Sequence, residues 1–293
     1  MRIHHLNCAT FAPLGGRLIS ERHRGFGPAP MVTHCLLLET DAGLVLVDTG
    51  LGRHDVIAPK QSLHFPFVPA LRPSLLLEET AAHQITQLGY SLDDVRHIVL
   101  THLDLDHAGG LRDFPHARVH VSATELSAAR HPENLTARRR YVGSQFDHKP
   151  AWVEHSDGGQ RWFGFTGVRE LSGLPSTIVA VPLPGHTRGH CGIAIDTGSH
   201  DAPRWLLHAG DSYFSHTQLD AHPSCPPLLA AFQVLVQVDR NSRLDNLSRL
   251  REVATRDDVD VICAHDPHDL AQSIRRQQNS PPSAPDSHTG TTA

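Results

Sequence analysis

The chain of 293 residues is long enough to bury one large core, and its formal charge of −5 combines 26 basic with 31 acidic residues. This mixed balance argues against nucleic acid or an anionic membrane as the main partner, and the lack of a run of about 20 apolar residues excludes a membrane-spanning helix. The first six residues lack the apolar stretch of a signal peptide, and the five scattered cysteines form no Cys-x-x-Cys pair. A cytoplasmic protein without a disulfide framework is therefore predicted.

Short apolar runs bounded by Gly, Pro and Asp are typical of buried strands. In chain order they are Val32–Leu38, Leu44–Val47, Ile98–Leu100, Ala117–Val121, Thr177–Val181, Gly192–Ile195, Trp205–Leu207 and Val259–Cys263. Helical patterns follow over Ser74–Leu88, Ser122–Ala129, Leu244–Thr255 and Pro267–Gln277. Strands mixed with helices predict an α/β fold, layered helix–sheet–sheet–helix if two sheets are present.

A single domain over residues 1–278 is predicted from this pattern. Residues 131–167 lack clear periodicity, which indicates a long irregular insertion that covers a site or contacts a second copy, so a homodimer stays open. Within it, the run Arg138–Arg140 is interpreted as a solvated face, with an anion site as the alternative. The Pro- and Ser-rich residues 279–293 are typical of a disordered tail.

Five of the predicted strands lead, within five residues of their ends, to a carboxylate or an imidazole. These side chains are Asp48, His102, His186, Asp211 and His265. Ligands of α/β sheets gather at the carboxyl ends of the strands, so we expect these groups to meet at one edge.

The densest cluster is the run His102-Leu-Asp104-Leu-Asp106-His107, with four potential ligands in six residues. The Ala-Gly-Gly sequence that follows allows a close approach of two backbones. Imidazoles and carboxylates suit zinc, iron or manganese, and the lack of cysteine here disfavours a thiolate zinc site. The alternative is a polar helix start capped by Asp.

The segment Pro184–His190 contains two glycines, which predict a sharp turn that presents His186. For His190 a packing role and a supporting role stay open. Asp211 and His265 are weak candidates when each is taken alone, and it is the combination that predicts a metal site.

Along the chain, the cluster from His102 to His107 is followed by a Gly-His pair, a Gly-Asp pair and a late His. This order of motifs, from about Val32 to His265, resembles that of the metallo-β-lactamase superfamily. The resemblance implies an αββα sandwich with two metals at the shared edge of its sheets. It implies a first metal on His102, residue 104 and His186, and a second on Asp106, His107 and His265. Asp211 would bridge both metals, and Asp48 would support the ligands from behind.

This chain departs from the family pattern at Asp104, where the family usually has His. A carboxylate shifts the metal preference toward iron or manganese without excluding zinc. Because Asp is shorter than His, either the backbone moves closer or the first metal binds more weakly.

Two divalent metal ions, with zinc favoured over iron or manganese, would generate a bridging hydroxide near neutral pH. We therefore predict a hydrolase of lactones or carboxylic esters. N-acyl-homoserine lactones are among the candidate substrates because the first thirteen residues and the Asp-His-Ala-Gly-Gly run resemble the N-acyl-homoserine lactonases. Asp106 would orient the hydroxide or shuttle a proton, and Tyr213 would assist at the lactone unless it is a packed aromatic residue. The stretches Phe65–Val68 and Trp162–Phe165 would line an acyl pocket or belong to the core.

Three other functions stay open at this point. A phosphoester or organophosphate hydrolase would use the same metals together with an anion-binding Arg188 or a residue of the Arg138–Arg140 run. An iron-dependent oxidoreductase would use the site that contains Asp104. A non-catalytic metal-binding sensor would keep the ligands without the chemistry.

Overall fold

The computed structural model describes residues 1–156, 158–198 and 203–279, and within them the strands form two six-stranded sheets. The first sheet contains, in spatial order, β1 (Arg2–Phe11), β2 (Met31–Thr40), β3 (Gly43–Val47), β4 (Val95–Val99), β5 (Arg118–Ser122) and β6 (Ala151–His155). The second sheet contains β7 (Gln160–Trp162), β8 (Phe165–Glu170), β9 (Ile178–Pro182), β10 (Cys191–Asp196), β11 (Trp205–His208) and β12 (Val259–Ile262), again in spatial order.

Both sheets are mixed. In the first, β1, β2 and β3 pair antiparallel, and β3 to β6 pair parallel. In the second, β7 to β11 pair antiparallel, and β12 adds parallel to β11. All eight predicted strands are confirmed, seven of them within two residues at each end, while β4 begins three residues before the predicted Ile98. The edge strand β1 was not predicted, because polar and apolar residues alternate along it and no continuous apolar run results.

The helices of the described residues lie before, between and after the strands. They are α1 (Arg53–Ile57), α2 (Pro59–Ser62), α3 (Phe67–Leu71), α4 (Ala81–Gln87), α5 (Leu105–Ala108), α6 (Ala123–Arg130), α7 (Leu135–Arg140), α8 (Pro227–Val236), α9 (Arg240–Ala254) and α10 (Pro267–Asn279). Short 3₁₀ helices span Gly16–Leu18, Leu77–Glu79, Leu92–Asp94, Gly109–Asp113, Gly143–Gln145 and His216–Gln218.

The alternation of side chains along the strands produces four layers. Leu36 and Leu38 of β2 pack between the sheets, in one cluster with Ile193 of β10. Leu37, on the opposite face of β2, packs in an outer cluster that contains Ile85 of α4. An equivalent outer cluster on the second sheet includes residues of β9, β10, β11 and α9. The helix–sheet–sheet–helix order confirms the predicted αββα sandwich.

The prediction that residues 131–167 are irregular is wrong. The segment contains α7, β6, β7 and the start of β8. Strand β6 pairs with β5 and completes the first sheet, while β8 pairs with β9 in the second. Strands β6, β7 and β8 have three to six residues and carry polar side chains among the apolar ones, so they show no apolar run in the sequence. The predicted tail lies outside the described residues except for Asn279, which ends α10.

Two predicted helices begin at other residues than expected. The helix predicted from Ser74 begins at Ala81, because Thr80 caps it and Leu75 adopts a φ of 50°, which is incompatible with a right-handed helix. The helix predicted from Leu244 begins earlier, as α9, because Asp239 caps it by accepting two backbone N–H groups. The helices predicted at 122–129 and 267–277 match α6 and α10 closely.

Across the part of the chain that the structure describes, no helix is long and apolar enough to cross a membrane. The five cysteines are all free, and four of them are buried.

Candidate metal centre

The five polar side chains that follow predicted strands meet at one edge of the sandwich. Asp48 follows β3 and His102 follows β4 in the first sheet, while His186, Asp211 and His265 follow β9, β11 and β12 in the second. All five are buried. The edge therefore draws on the ends of strands from both sheets.

The Asp48 carboxylate fixes the end of the first sheet. It accepts hydrogen bonds from Thr101 N at 2.8 Å, from Thr101 Oγ1 at 2.7 Å and from His107 Nδ1 at 2.8 Å. Burial acts to raise the pKa of Asp48, but the adjacent His107 holds it below its usual value. Because Asp48 binds Nδ1 of His107, the Nε2 atom of that ring points into the site.

Helix α5 is a single turn that carries Asp106 and His107 and follows directly after Asp104. The two glycines after it allow the chain to pass close to the loop that follows β3. A Cβ atom on Gly109 would lie 2.8 Å from the carbonyl oxygen of Gly50, and one on Gly110 would lie 2.8 Å from that of Thr49. This close approach confirms the role predicted for the Ala-Gly-Gly run.

The second sheet orients its ligands through backbone contacts. His265 Nδ1 donates to the carbonyl of Val32 at 2.7 Å. His190 donates through Nδ1 to Leu183 O at 2.9 Å and accepts the Asp211 N–H at Nε2, also at 2.9 Å. His190 is therefore fully engaged behind Asp211, which favours the supporting role.

The side chains form two groups that share Asp211. The first ligand group is His102, Asp104 and His186, and the second ligand group is Asp106, His107 and His265. Within each group one ligand atom per residue lies within 4.8 Å of the others.

The Asp211 carboxylate lies between the two groups. Its Oδ2 is 3.8 Å from His102 Nε2 and 3.4 Å from His186 Nε2. Its Oδ1 is 3.3 Å from His107 Nε2 and 3.2 Å from His265 Nε2. The structure thus brings together all seven residues that the sequence predicts as metal ligands.

The chemistry of this donor set fits divalent cations. His102 Nε2, His107 Nε2 and Asp211 Oδ1 are buried and have no hydrogen-bond partner within the described chain. Buried polar atoms left unpaired cost free energy, and a cation between them would satisfy all three. Imidazole nitrogens and carboxylate oxygens are ligands for zinc, iron and manganese.

The carboxylates and imidazoles of the site perturb one another strongly. Burial acts to raise the pKa of Asp211, but His265 and His107 hold it well below its usual value. Burial acts to lower the pKa of His107, but Asp211 and Asp48 raise it well above its usual value. For His186 the burial and the nearby Arg140 dominate, and its pKa falls to about 4.

Arg140, at the end of α7, is a site residue that the sequence did not reveal. Its Nε donates to Asp104 Oδ1 at 2.6 Å and its Nη2 to Asp104 Oδ2 at 3.0 Å. Its side chain is 14% exposed, whereas Arg138 and Arg139 are exposed. The interpretation of the whole run Arg138–Arg140 as a solvated face is therefore wrong for Arg140, which the end of the short helix turns inward.

Tyr213 does not line the site. Its side chain is fully buried, and its hydroxyl donates to Val261 O and Asp269 Oδ2, both at 3.2 Å. It packs in the outer core of the second sheet with residues of α9. These contacts correspond to the packed aromatic residue considered as the alternative, and they leave the hydroxyl no path to a substrate.

Aromatic side chains nevertheless lie beside the ligands. The Phe214 ring is 5.1 Å from the His265 ring and 6.0 Å from the His186 ring, centroid to centroid, and Phe11 is 6.3 Å from His265. They belong to an apolar cluster, here called the apolar wall, that also contains Leu51, Leu63, Leu105 and Leu229 and, partly buried, Phe67, Val68 and Phe232.

Of the two stretches predicted for an acyl pocket, only one reaches this wall. Phe67 and Val68 pack against it, whereas Phe65 is 83% exposed. Trp162 lies 5.4 Å from Trp205, centroid to centroid, in the outer core of the second sheet. The stretch Trp162–Phe165 is therefore ordinary core.

Known proteins resemble this chain over most of its length. It is 44% identical to a probable metallo-hydrolase of Mycobacterium tuberculosis over 277 residues, which are 94% of this chain and 83% of the relative. It is 27% identical to an N-acyl homoserine lactonase of Bacillus thuringiensis, covering 79% of this chain and 80% of that one.

Solved structures share the fold. An N-acyl homoserine lactone hydrolase with the product N-hexanoyl-L-homoserine bound at its catalytic metal center superposes with a TM-score of 0.68 at 20% identity, covering 92% of this chain and 95% of that one. The hydrolase AbOPH, of the β-lactamase superfamily, superposes with a TM-score of 0.61 at 17% identity, covering 91% and 87% of the two chains.

The family match covers the whole candidate centre and, within the described residues, every strand except β1. The sequence profile of the metallo-beta-lactamase superfamily matches residues 28–265, which run from just before β2 to the last of the seven side chains. Together with the αββα layers and the shared edge described above, this match shows that the chain belongs to the metallo-β-lactamase superfamily.

Proposed function

We propose that this protein is a hydrolase with two divalent metal ions that cleaves a lactone or a carboxylic ester, with N-acyl homoserine lactones as the first substrates to test. The observation that carries the proposal is the position of the Asp211 carboxylate between the two ligand groups. Its Oδ2 faces the first group, its Oδ1 faces the second, and His265 Nε2 lies 3.2 Å from both oxygens. A carboxylate shared in this way suits two adjacent cations rather than one.

The first ligand group would hold one ion and the second ligand group the other, with Asp211 shared between them. Such ions lower the pKa of water and polarise a carbonyl oxygen. Zinc suits the imidazole-rich donor set best, and iron or manganese would be favoured by the carboxylate of Asp104. The 44% identical relative, a probable metallo-hydrolase, supports metal-dependent hydrolysis.

Asp106 is the residue for which we propose a catalytic role. Its carboxylate is 3.7 Å from His265 Nε2, and its side chain keeps 13% of its surface exposed, against 5% for His265 and Asp211. An acceptor that reaches both the ligands and solvent can hold a proton taken from water and pass it to the leaving oxygen. Tyr213 has no part in this proposal.

The apolar wall favours a substrate with an apolar part. Phe11 and Phe214 place ring surface directly beside His265, where an acyl chain would bury apolar area next to the scissile carbonyl. The 27% identity with an N-acyl homoserine lactonase supports the same substrate class.

Two of the arginines considered for a phosphoester hydrolase are already paired with carboxylates. Arg140 binds Asp104, and Arg188 forms an ion pair with Glu133. A phosphoester substrate is therefore the weaker candidate.

The test combines metal analysis with hydrolysis. Protein loaded with excess zinc and desalted is expected to contain two ions per chain and to open N-hexanoyl homoserine lactone in a chelator-sensitive reaction. Asp211→Ala should lose at least one ion and lower kcat/KM on the order of a hundredfold or more. The exposed Asp220→Ala is the matched control and should change neither quantity.

Two results would overturn the proposal. One is a chain that binds two ions yet opens neither the lactone nor a p-nitrophenyl ester, and the other is an Asp211→Ala variant that hydrolyses them at the normal rate. A clear preference for a phosphotriester would replace the ester with a phosphoester as the substrate.

A further inference from the structure

Arg140 occupies the position from which it can compete with a metal ion. Its Nη2 lies 2.9 Å from His186 Nε2 and 3.0 Å from Asp104 Oδ2, and its Nη1 donates to His186 O at 3.0 Å. Two of the three side chains of the first ligand group thus direct their ligand atoms at the same guanidinium nitrogen.

A neutral imidazole has one nitrogen lone pair to give. His186 Nε2 lies 2.9 Å from Arg140 Nη2, and because a guanidinium can only donate, the ring must offer its lone pair to make this hydrogen bond. The same lone pair can accept the N–H of Arg140 or bind a cation, but not both. The guanidinium also carries a positive charge, which repels a divalent cation at close range.

The second ligand group is supported differently. The remote nitrogen of His107 donates to the Asp48 carboxylate, and that of His265 donates to the carbonyl of Val32. An anion and a neutral dipole behind the imidazoles strengthen their Nε2 atoms as ligands. The second ligand group therefore has hydrogen-bond acceptors that favour a cation behind its imidazoles, whereas the first ligand group faces the positive charge of Arg140.

We propose that Arg140 makes the two metal positions unequal, so that the second ligand group fills first and the first ligand group takes an ion only when the guanidinium leaves His186. The Nε contact with Asp104 Oδ1 can persist, because the contacts of Asp104 with His186 and His102 are made through Oδ2. The inference rests on the proposed function, because it assumes a protein that holds two ions. It adds that the second ion binds only above a concentration of free metal that Arg140 sets.

The pair Asp104 and Arg140 also accounts for the departure from the family pattern. A histidine at position 104 would offer the guanidinium no carboxylate, whereas an aspartate next to Arg140 forms a two-pronged ion pair.

The test is a titration of the metal-free chain with zinc, followed by calorimetry against a competing chelator, without substrate. The wild type should bind in two steps whose dissociation constants differ by about tenfold or more, given the size of the charge repulsion. Arg140→Met should tighten the weaker step by about tenfold and leave the other unchanged. The exposed Arg138→Met, on the same helix, is the control and should behave like the wild type.

Further variants assign the two steps and guard against misfolding. Asp104→Ala should abolish the weaker step, and His265→Ala should weaken the tighter one. Arg140→Gln offers a second neutral side chain if Arg140→Met unfolds, and Arg140→Lys, which keeps the charge, should leave the weaker step weak. Cobalt titrations monitored by absorption give an independent record of which position fills first.

Two equal steps in the wild type would overturn the inference. Weaker zinc binding by the first ligand group in both Arg140→Met and Arg140→Gln would also overturn it. That result would mean that Arg140 orients Asp104 for the ion instead of opposing the ion. If the wild type binds zinc in two unequal steps but does not hydrolyse the lactone, that result counts against the proposed function and not against this inference.

Discussion

Three of the four imidazoles in the candidate metal centre have an acceptor on the remote ring nitrogen. The acceptors are Thr101 Oγ1 for His102, Asp48 for His107 and Val32 O for His265. A carboxylate or a carbonyl can only accept, and the Thr101 hydroxyl already donates its proton to Asp48 Oδ2. In all three rings Nδ1 therefore carries a proton, and Nε2 is the nitrogen that faces the site. Individual residues outside the ligand set therefore decide which ring nitrogen of each histidine is available to a metal ion.

At the same scale, Tyr213→Phe separates a packing role from a catalytic one. Removing the hydroxyl takes a hydrogen bond from the buried Asp269 carboxylate, so the free energy of unfolding should fall by about 1 kcal/mol. Lactone hydrolysis should stay within about twofold of the wild type, because the side chain has no exposed surface. Urea unfolding and steady-state kinetics measure both. A large loss of kcat at unchanged stability would restore the catalytic role.

The ligands could be predicted from sequence because each follows an apolar run at a fixed place in the chain. Arg140 could not be predicted, since it is 36 residues from Asp104 and its segment carries no apolar pattern. Its two neighbours, Arg138 and Arg139, are indeed solvated, and only the end of α7 decides which of the three points inward.

At the scale of elements, the turn that presents His186 rests on the start of α9. Val238 N and Asp239 N donate to Gly185 O at 2.8 and 2.9 Å. A Cβ atom on Gly185 would lie 2.5 Å from Arg243 N, and its φ of 139° disfavours any other residue. The helix and the turn are thus fitted to each other, and His186 takes its position from their contact.

Gly185→Ala should therefore move the turn away from α9 and displace His186. We expect a loss of stability of about 2 kcal/mol or more, because backbone strain and a steric clash add, together with weaker zinc binding by the first ligand group. Gly89→Ala is the matched control, because its φ is also positive but its Cβ would meet nothing within 4 Å. Equal effects of the two substitutions on zinc binding would show that the fit to α9 is unimportant.

Strands with an apolar run were predictable, including the edge strand β12, whereas the other three edge strands were not. The central strands β2, β3, β4, β9 and β10 are covered on both faces, so their sequences are nearly continuous in apolar residues. The edge strands β1, β6 and β7 are partly exposed, and pairing with a neighbour, which the sequence does not display, is what orders them.

At the scale of the whole molecule, buried neutral histidines make the fold sensitive to acid. His97 Nδ1 and His155 Nε2 contact the two ring nitrogens of His120 at 2.8 and 3.0 Å, in a row across three parallel strands. Burial and the neighbouring His155 lower the pKa of His120 to about 3. The pKa of this residue in the unfolded chain is about 6.5.

Between these two values the unfolded chain binds a proton that the folded chain does not. The stability contributed by neutral His120 is therefore present above pH 6.5 and is lost as the pH falls toward 3, at up to about 1.4 kcal/mol per pH unit. His120→Gln should reduce this slope by up to that amount, measured by urea unfolding at pH 7 and pH 5. The exposed His116→Gln should keep the wild-type slope, and an unchanged slope in both variants would contradict the assignment.

The division of the ligands between the sheets bears on the lifetime of the folded state. The first ligand group joins His102 and Asp104 of the first sheet to His186 of the second, and the second group reaches His265 near the end of the chain. These contacts are long-range and exist only after both sheets have packed. Bound ions would therefore slow the rate of unfolding without speeding the rate of folding, so that metal supply sets how long a folded molecule survives.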